Sequence, residues 1–85
     1  MVQQTITYTS NIGFHIRPIG QFSHLVKSSN HHVSVTKNDI TVSGERMMQL
    51  LRLEITKGDK VTITVEGKDE QSILDQLVAI LLGVK

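Results

Sequence analysis

Cysteine is absent from the 85 residues, and so is tryptophan. The first absence excludes a disulfide scaffold, a thiolate metal site and a cysteine nucleophile. Proline occurs once, at Pro18, and alanine once, at Ala79. With so little alanine, helices must be held by packing of an apolar face rather than by intrinsic propensity. Charge of one sign is missing too. Nine basic and eight acidic residues leave a net +1, and the nearest thing to a basic run is Lys57 and Lys60 with Asp59 between. Nucleic acid and anionic membrane are therefore not expected partners. No stretch approaches the ~18–20 apolar residues that span a bilayer. The opening Met-Val-Gln-Gln-Thr has neither the cationic nor the apolar region of a secretion signal, so the cytoplasm is the expected compartment.

What is present is β-branched. Nine Val, nine Ile and eight Thr favour pleated, half-buried surfaces. The length fits a single domain over residues 1–85. From Val2 to Thr9 the residues alternate with strand periodicity, and Ser10-Asn11-Ile12-Gly13 punctuates. Ile19, Phe22, Leu25 and Val26 then recur at helical spacing, with Pro18 in the first turn, where proline is tolerated. Ser28-Ser29-Asn30 ends that helix. Val33/Val35 and Ile40/Val42 alternate with polar residues on either side of Lys37-Asn38-Asp39, the pattern of a hairpin. A dense apolar run from Met47 to Leu53 reads as a short helix, with Ser43 as a candidate cap. Lys57-Gly58-Asp59 turns, and Val61, Ile63 and Val65 make the clearest strand. A last helix opens at Lys68 or Asp69, with Ile73, Leu74, Leu77, Ile80, Leu81 and Val84 as its apolar face.

The order is β-α-β-β-α-β-α. Strands with Val and Ile on one side and Thr, Ser and Gln on the other need cover on one face only. The expected fold is an α+β open-faced β-sandwich, a four-stranded and mainly antiparallel sheet with three helices on one face.

Four histidines could carry chemistry: His15, His24, His31 and His32. No zinc-like cluster, carboxylate pair or Gly-rich phosphate loop accompanies them. His31 and His32 read as solvated loop residues whose side chains point to opposite faces, and His24 as a solvated or partner-facing residue on the side of its helix. His15 differs by its setting, Gly13-Phe14-His15-Ile16-Arg17-Pro18, where a strand has ended and a helix begins. Helix N-termini offer free N–H groups and a partial positive charge to an anion. Arg17 adds a permanent cation with fork-like donors suited to phosphate. Positive surroundings disfavour protonation of an imidazole and leave a neutral nitrogen able to attack a phosphoryl group. A helix-capping histidine beside a surface arginine accounts for the same residues, and on physics alone the two readings stand level.

At this hexapeptide the chain resembles the HPr family, the histidine phosphocarriers of the bacterial phosphoenolpyruvate:sugar phosphotransferase system. Gly13, Phe14, His15, Arg17 and Pro18 match the family motif. The resemblance runs through the chain, including Lys57-Gly58-Asp59-Lys60-Val61-Thr62-Ile63 and Glu66-Gly67-Lys68-Asp69-Glu70-Gln71. It implies a carrier rather than a free-standing enzyme. His15 would take a phosphoryl group from phosphorylated Enzyme I on Nδ1 and pass it to a sugar-specific IIA component, and Arg17 would steady the phosphate. It implies no cofactor and no metal, and a monomer that visits several partners. It maps the docking surface to Ile16, Ile19, Gly20, Met47, Met48 and Leu51. Met47 and Met48, as helical neighbours, cannot both face inward.

Departures from the family pattern are specific. Ile16, Ile19 and Gly20 stand where small residues, mostly Ala, are usual, and Glu54 stands at a common Gly. Arg46 occupies the position of the regulatory serine, so serine phosphorylation there is not supported, and Ser43 is more simply a cap. These departures leave a second function open: an HPr-like regulatory binding module that acts by docking rather than by relay.

Overall fold

In the computed structural model, the alternation of Val and Ile with Thr and Ser sets the sheet. The structure describes residues 1–9 and 16–82, with Ile16 by its backbone alone. The readings made for Gly13, Phe14, His15 and Val84 lie outside the described residues. The elements run β1 (Val2–Thr7), α1 (Ile16–Ser29), β2 (His32–Lys37), β3 (Ile40–Ser43), α2 (Met47–Arg52), β4 (Lys60–Glu66) and α3 (Glu70–Leu82). This is the expected order. Four strands form one sheet in the order β1-β4-β2-β3. Every pairing is antiparallel, with Ile6 opposite Val61, Val35 opposite Ile63 and Val35 opposite Val42.

One face of the sheet is apolar. Ile6, Val33, Val35, Val61, Ile63 and Val65 are buried there beneath Ile19, Phe22 and Val26 of α1 and Ile73, Leu74, Leu77 and Leu81 of α3. On the other face, threonine hydroxyls pair across strands, Thr5 with Thr62 at 2.7 Å and Thr36 with Thr41 at 2.9 Å. Such cross-strand pairs satisfy polar groups without a covering layer.

The connections follow from local chemistry. Asn30 ends α1 with φ 59°, and Asn38 and Asp39 turn the hairpin with φ 49° and 68°. Asn and Asp enter this left-handed region more readily than other side chains, and two such residues in succession make the hairpin turn that matches strand twist. Pro18 lies in the first turn of α1 as its missing N–H requires. Asp69 precedes α3, and its carbonyl accepts the Ile73 N–H at 3.0 Å.

Two expectations need correction. Ser43 does not cap α2. The residue at that position is Arg46, which makes no side-chain cap bond. The Ser43 hydroxyl instead accepts the Glu45 N–H at 3.3 Å, because two residues separate it from the capping position, Arg46. His31 is not solvated. It is 9% exposed, and its ring bridges the end of α1 and the start of α3. Nδ1 lies 2.7 Å from the Ser29 carbonyl and Nε2 accepts the Asp69 N–H at 3.0 Å. A carbonyl can only accept, so Nδ1 carries the proton. The ring fits because residue 67 is glycine: a Cβ there would lie 2.8 Å from His31 Cγ.

Candidate functional site

The candidate site residues of the described chain lie on α1 and its neighbour α2. The first turn of α1 carries no acidic side chain, and Arg17 is exposed within it. Its free N–H groups and partial positive charge are therefore not offset locally. His15 immediately precedes the helix in sequence and lies outside the described residues.

The inward stripe of α1 is Ile19, Phe22, Ser23 and Val26, at spacings of three, one and three. Ile19 is wholly buried. It therefore presents no surface to a partner, which corrects its assignment to the docking face. Its place on the apolar stripe sets its role: it anchors the start of α1 to the core. Gly20 is half-buried and faces α2. A Cβ on it would stand 3.7 Å from Met47 Cε, an ordinary contact distance. Met47 and Leu51 are half-buried and pack on the core, whereas Met48 is 65% exposed. The two neighbouring methionines thus divide as their helical positions require. Of Ile16, only the backbone is described, as the first residue of α1.

Two residues that the sequence did not single out hold α2 beside α1. Ser23 is 2% exposed, and its hydroxyl donates to the Glu45 carbonyl at 2.7 Å. Gly44 passes so close to the core that a Cβ would lie 2.9 Å from Val33 Cγ1 and 3.2 Å from Val26 Cγ2. The Gly44 N–H donates to the Val33 carbonyl at 2.9 Å. Ser23 was findable: it falls on the buried stripe, where a hydroxyl needs a partner. Gly44 was not, because the residues it meets come from two other elements.

At the far end of α2, Lys37 is largely buried and uses its ammonium fully. It donates to the Leu53 and Glu54 carbonyls, each at 2.8 Å, and pairs with Asp59 at 3.0 Å. The Asp59 carboxyl is held below its ordinary range, first by the Thr56 backbone N–H at 2.8 Å and then by Lys37. Glu54 occupies the left-handed region, φ 52°, where the family's usual glycine carries no steric cost.

A groove of about 450 Å³ runs along α2 between Met47, Met48, Lys27, Glu45, Arg46 and Arg52. No salt bridge joins its charged side chains among the described residues. His24 and His32 are exposed, as the sequence implies, and no group of three metal-ligating side chains occurs among the described residues. Among the described residues, no helix is long and apolar enough to cross a membrane.

Comparison with known proteins agrees with this frame. Residues 2–82 match a family model described as the phosphotransferase-system HPr component phosphorylation site. The phosphocarrier protein HPr of Vibrio cholerae is 31% identical over 81 residues, covering 95% of each chain. The crystal structure of HPr-C-His from Thermoanaerobacter tengcongensis superposes with a TM-score of 0.87 at 25% identity, over 100% of this chain and 99% of that one. Crh of Bacillus subtilis, described as a catabolite-repression protein forming a swapped dimer, matches with a TM-score of 0.76 at 28% identity, over 99% and 97%. The chain belongs to the HPr family of phosphocarrier proteins, which carry phosphoryl groups and are not free-standing catalysts.

Proposed function

We propose that this chain relays a phosphoryl group through His15, receiving it from phosphorylated Enzyme I and passing it to a sugar-specific IIA component. The observation that carries the reading is the run Gly13-Phe14-His15-Ile16-Arg17-Pro18, inside the family match and at the start of a helix whose first turn holds Arg17 and no acid. A neutral imidazole nitrogen of His15 attacks phosphorus. A new N–P bond forms as the donor's N–P bond breaks, and the donor histidine leaves with its electron pair. The transferred group brings negative charge, which Arg17 and the N–H groups of the helix start would meet. The carrier itself needs no cofactor for this exchange.

Both transfers occur in complexes, so a docking face must sit beside the histidine. We assign it to Gly20, Met47, Met48 and Leu51 with Ile16, and exclude Ile19 on its burial. A thioether as exposed as that of Met48 is an adaptable contact for two different partners. A single protomer is the proposed working form, to be checked by light scattering.

The relay is tested by a chase. Protein phosphorylated by Enzyme I and freed of it is mixed with an IIA component. Transfer of label to IIA, slowed about 10²-fold or more in Arg17→Ala, supports the reading. Label that stays on the carrier with every IIA component tried counts against it. A regulatory module that docks without relay is the second reading, motivated by Arg46 and by the likeness to Crh. It predicts that His15→Ala keeps full biological effect.

A further inference from the structure

Lys37 is the last residue of β2, and strand alternation turns it to the helix-covered face, with Val33 and Val35. A lysine is seldom placed there unless its charge is paired. Its side chain is 15% exposed. An ammonium has three donors, and here each has an oxygen: the Leu53 carbonyl at 2.8 Å, the Glu54 carbonyl at 2.8 Å and the Asp59 carboxylate at 3.0 Å. A group so occupied has no donor left for phosphate. It acts through the groups that it holds.

Those groups belong to two parts of the proposed site. Leu53 is the C-cap of α2, the helix of Met47, Met48 and Leu51, and a cation suits that end of a helix. Asp59 lies in the turn before β4. Its carboxylate also accepts the Thr56 N–H at 2.8 Å and the Thr56 hydroxyl at 3.1 Å, which closes the turn. The backbone of the same turn holds Tyr8. The Tyr8 N–H donates to the Asp59 carbonyl and the Gly58 N–H donates to the Tyr8 carbonyl, each at 2.8 Å. Tyr8 is buried just past the end of β1, where the chain sets out toward His15. One lysine thus ties the helix of the docking face to the strand end that leads to the acceptor histidine.

Building on the relay reading, we propose that Lys37 is a positioning residue for phosphoryl transfer. It holds α2 and the exit from β1 in one register, so that a partner docked on α2 meets the acceptor nitrogen at the right distance and angle. Transfer between two bound groups is sensitive to such offsets, and a displacement of about 1 Å can cost up to about 10²-fold in rate. Lys37→Met keeps most of the side chain's volume and removes the ammonium. Two carbonyls and a carboxylate then lose their cation, and the tie between α2 and the turn at residues 56–59 is cut.

The test is phosphoryl transfer from Enzyme I to the full chain, comparing wild type with Lys37→Met, Asp59→Asn and His31→Ala. Lys37→Met should lower kcat about tenfold with little change in KM, because the docking side chains themselves are untouched. Asp59→Asn removes one of the three contacts and should lower kcat in the same direction, by less. His31 joins the ends of α1 and α3, away from this tie, and controls for lost stability: His31→Ala should keep both constants. In NMR spectra of the unphosphorylated protein, the Tyr8 amide signal should shift in Lys37→Met and stay in place in His31→Ala. Circular dichroism checks folding at the assay temperature, and if Lys37→Met is unfolded, Asp59→Asn decides in its place. An unchanged kcat in the folded variant, a loss confined to KM, an equal loss in His31→Ala or an unmoved Tyr8 amide overturns the inference. Wild type separates the two claims. If it is labelled and Lys37→Met keeps pace with it, the positioning role alone fails. If it gains no phosphate, the relay reading fails and takes the positioning role with it.

Discussion

His31 shows how much one side chain can decide. A histidine in a run of polar residues, Ser28-Ser29-Asn30-His31-His32, reads as solvated, because nothing nearby in sequence offers it a pocket. The pocket comes from Gly67 and Asp69, more than thirty residues on, and is invisible to periodicity. His31→Ala leaves the Asp69 N–H without its partner and removes the ring from its niche. A loss of about 1–3 kcal/mol is expected in urea unfolding, with the start of α3 exchanging its amide protons faster. Glu54 gives the opposite sign. Its left-handed backbone is costly for a side chain, and no hydrogen bond of its carboxylate offsets that cost among the described residues. Glu54→Gly should therefore stabilise by about 0.5–1 kcal/mol, the relief of strain being partly cancelled by the greater freedom of glycine in the unfolded chain. A lowered urea midpoint for that variant would mean that the left-handed backbone at Glu54 holds no strain for glycine to relieve.

At the scale of elements, the strands and the long helices were legible because each buries one face and its apolar residues keep strict time. The alternation of Val61, Ile63 and Val65 and the 19-22-26 stripe of α1 reappear as buried residues. The same stripe shows Ile19 inward, and the mapping of Ile19 to the docking face, carried over from the family, yields to it. The pairing of α1 with α2 was not legible. It depends on the Ser23 hydroxyl reaching a backbone carbonyl and on the close passage of Gly44, neither of which leaves a periodic trace. Gly20 tests the interface between these helices. A Cβ there meets Met47 Cε at 3.7 Å without crowding, and alanine is the better helix former. Gly20→Ala should raise stability by up to about 1 kcal/mol. A destabilised variant would mean that α2 approaches α1 more closely than these distances show.

For the whole molecule, two ionic ties join distant parts of the chain, one ending at the first residue of α3 and the other running from β2 to the loop before β4. The N-terminal ammonium pairs with Glu70 at 2.8 Å, and Lys37 pairs with Asp59 at 3.0 Å. Both carboxyls are held below their ordinary values, Glu70 first by its hydrogen bond to that ammonium and Asp59 first by the Thr56 N–H. A carboxyl whose pKa is lowered on folding stabilises the fold above its unfolded pKa, and that contribution is lost as pH falls through the folded value. The melting temperature should therefore decline on acidification below about pH 4–5, where such carboxyls begin to take up protons. Glu70→Gln and Asp59→Asn should each flatten part of that decline. An identical decline in both variants would place the acid sensitivity elsewhere.

Whether His15 is the phosphoryl acceptor is tested by intact mass after incubation with Enzyme I, Mg²⁺ and phosphoenolpyruvate, beside His15→Ala. The expected result is a gain of one phosphoryl group, lost on acid treatment and absent from the variant. No gain in a folded protein, while a conventional HPr is labelled in the same reaction, would contradict it.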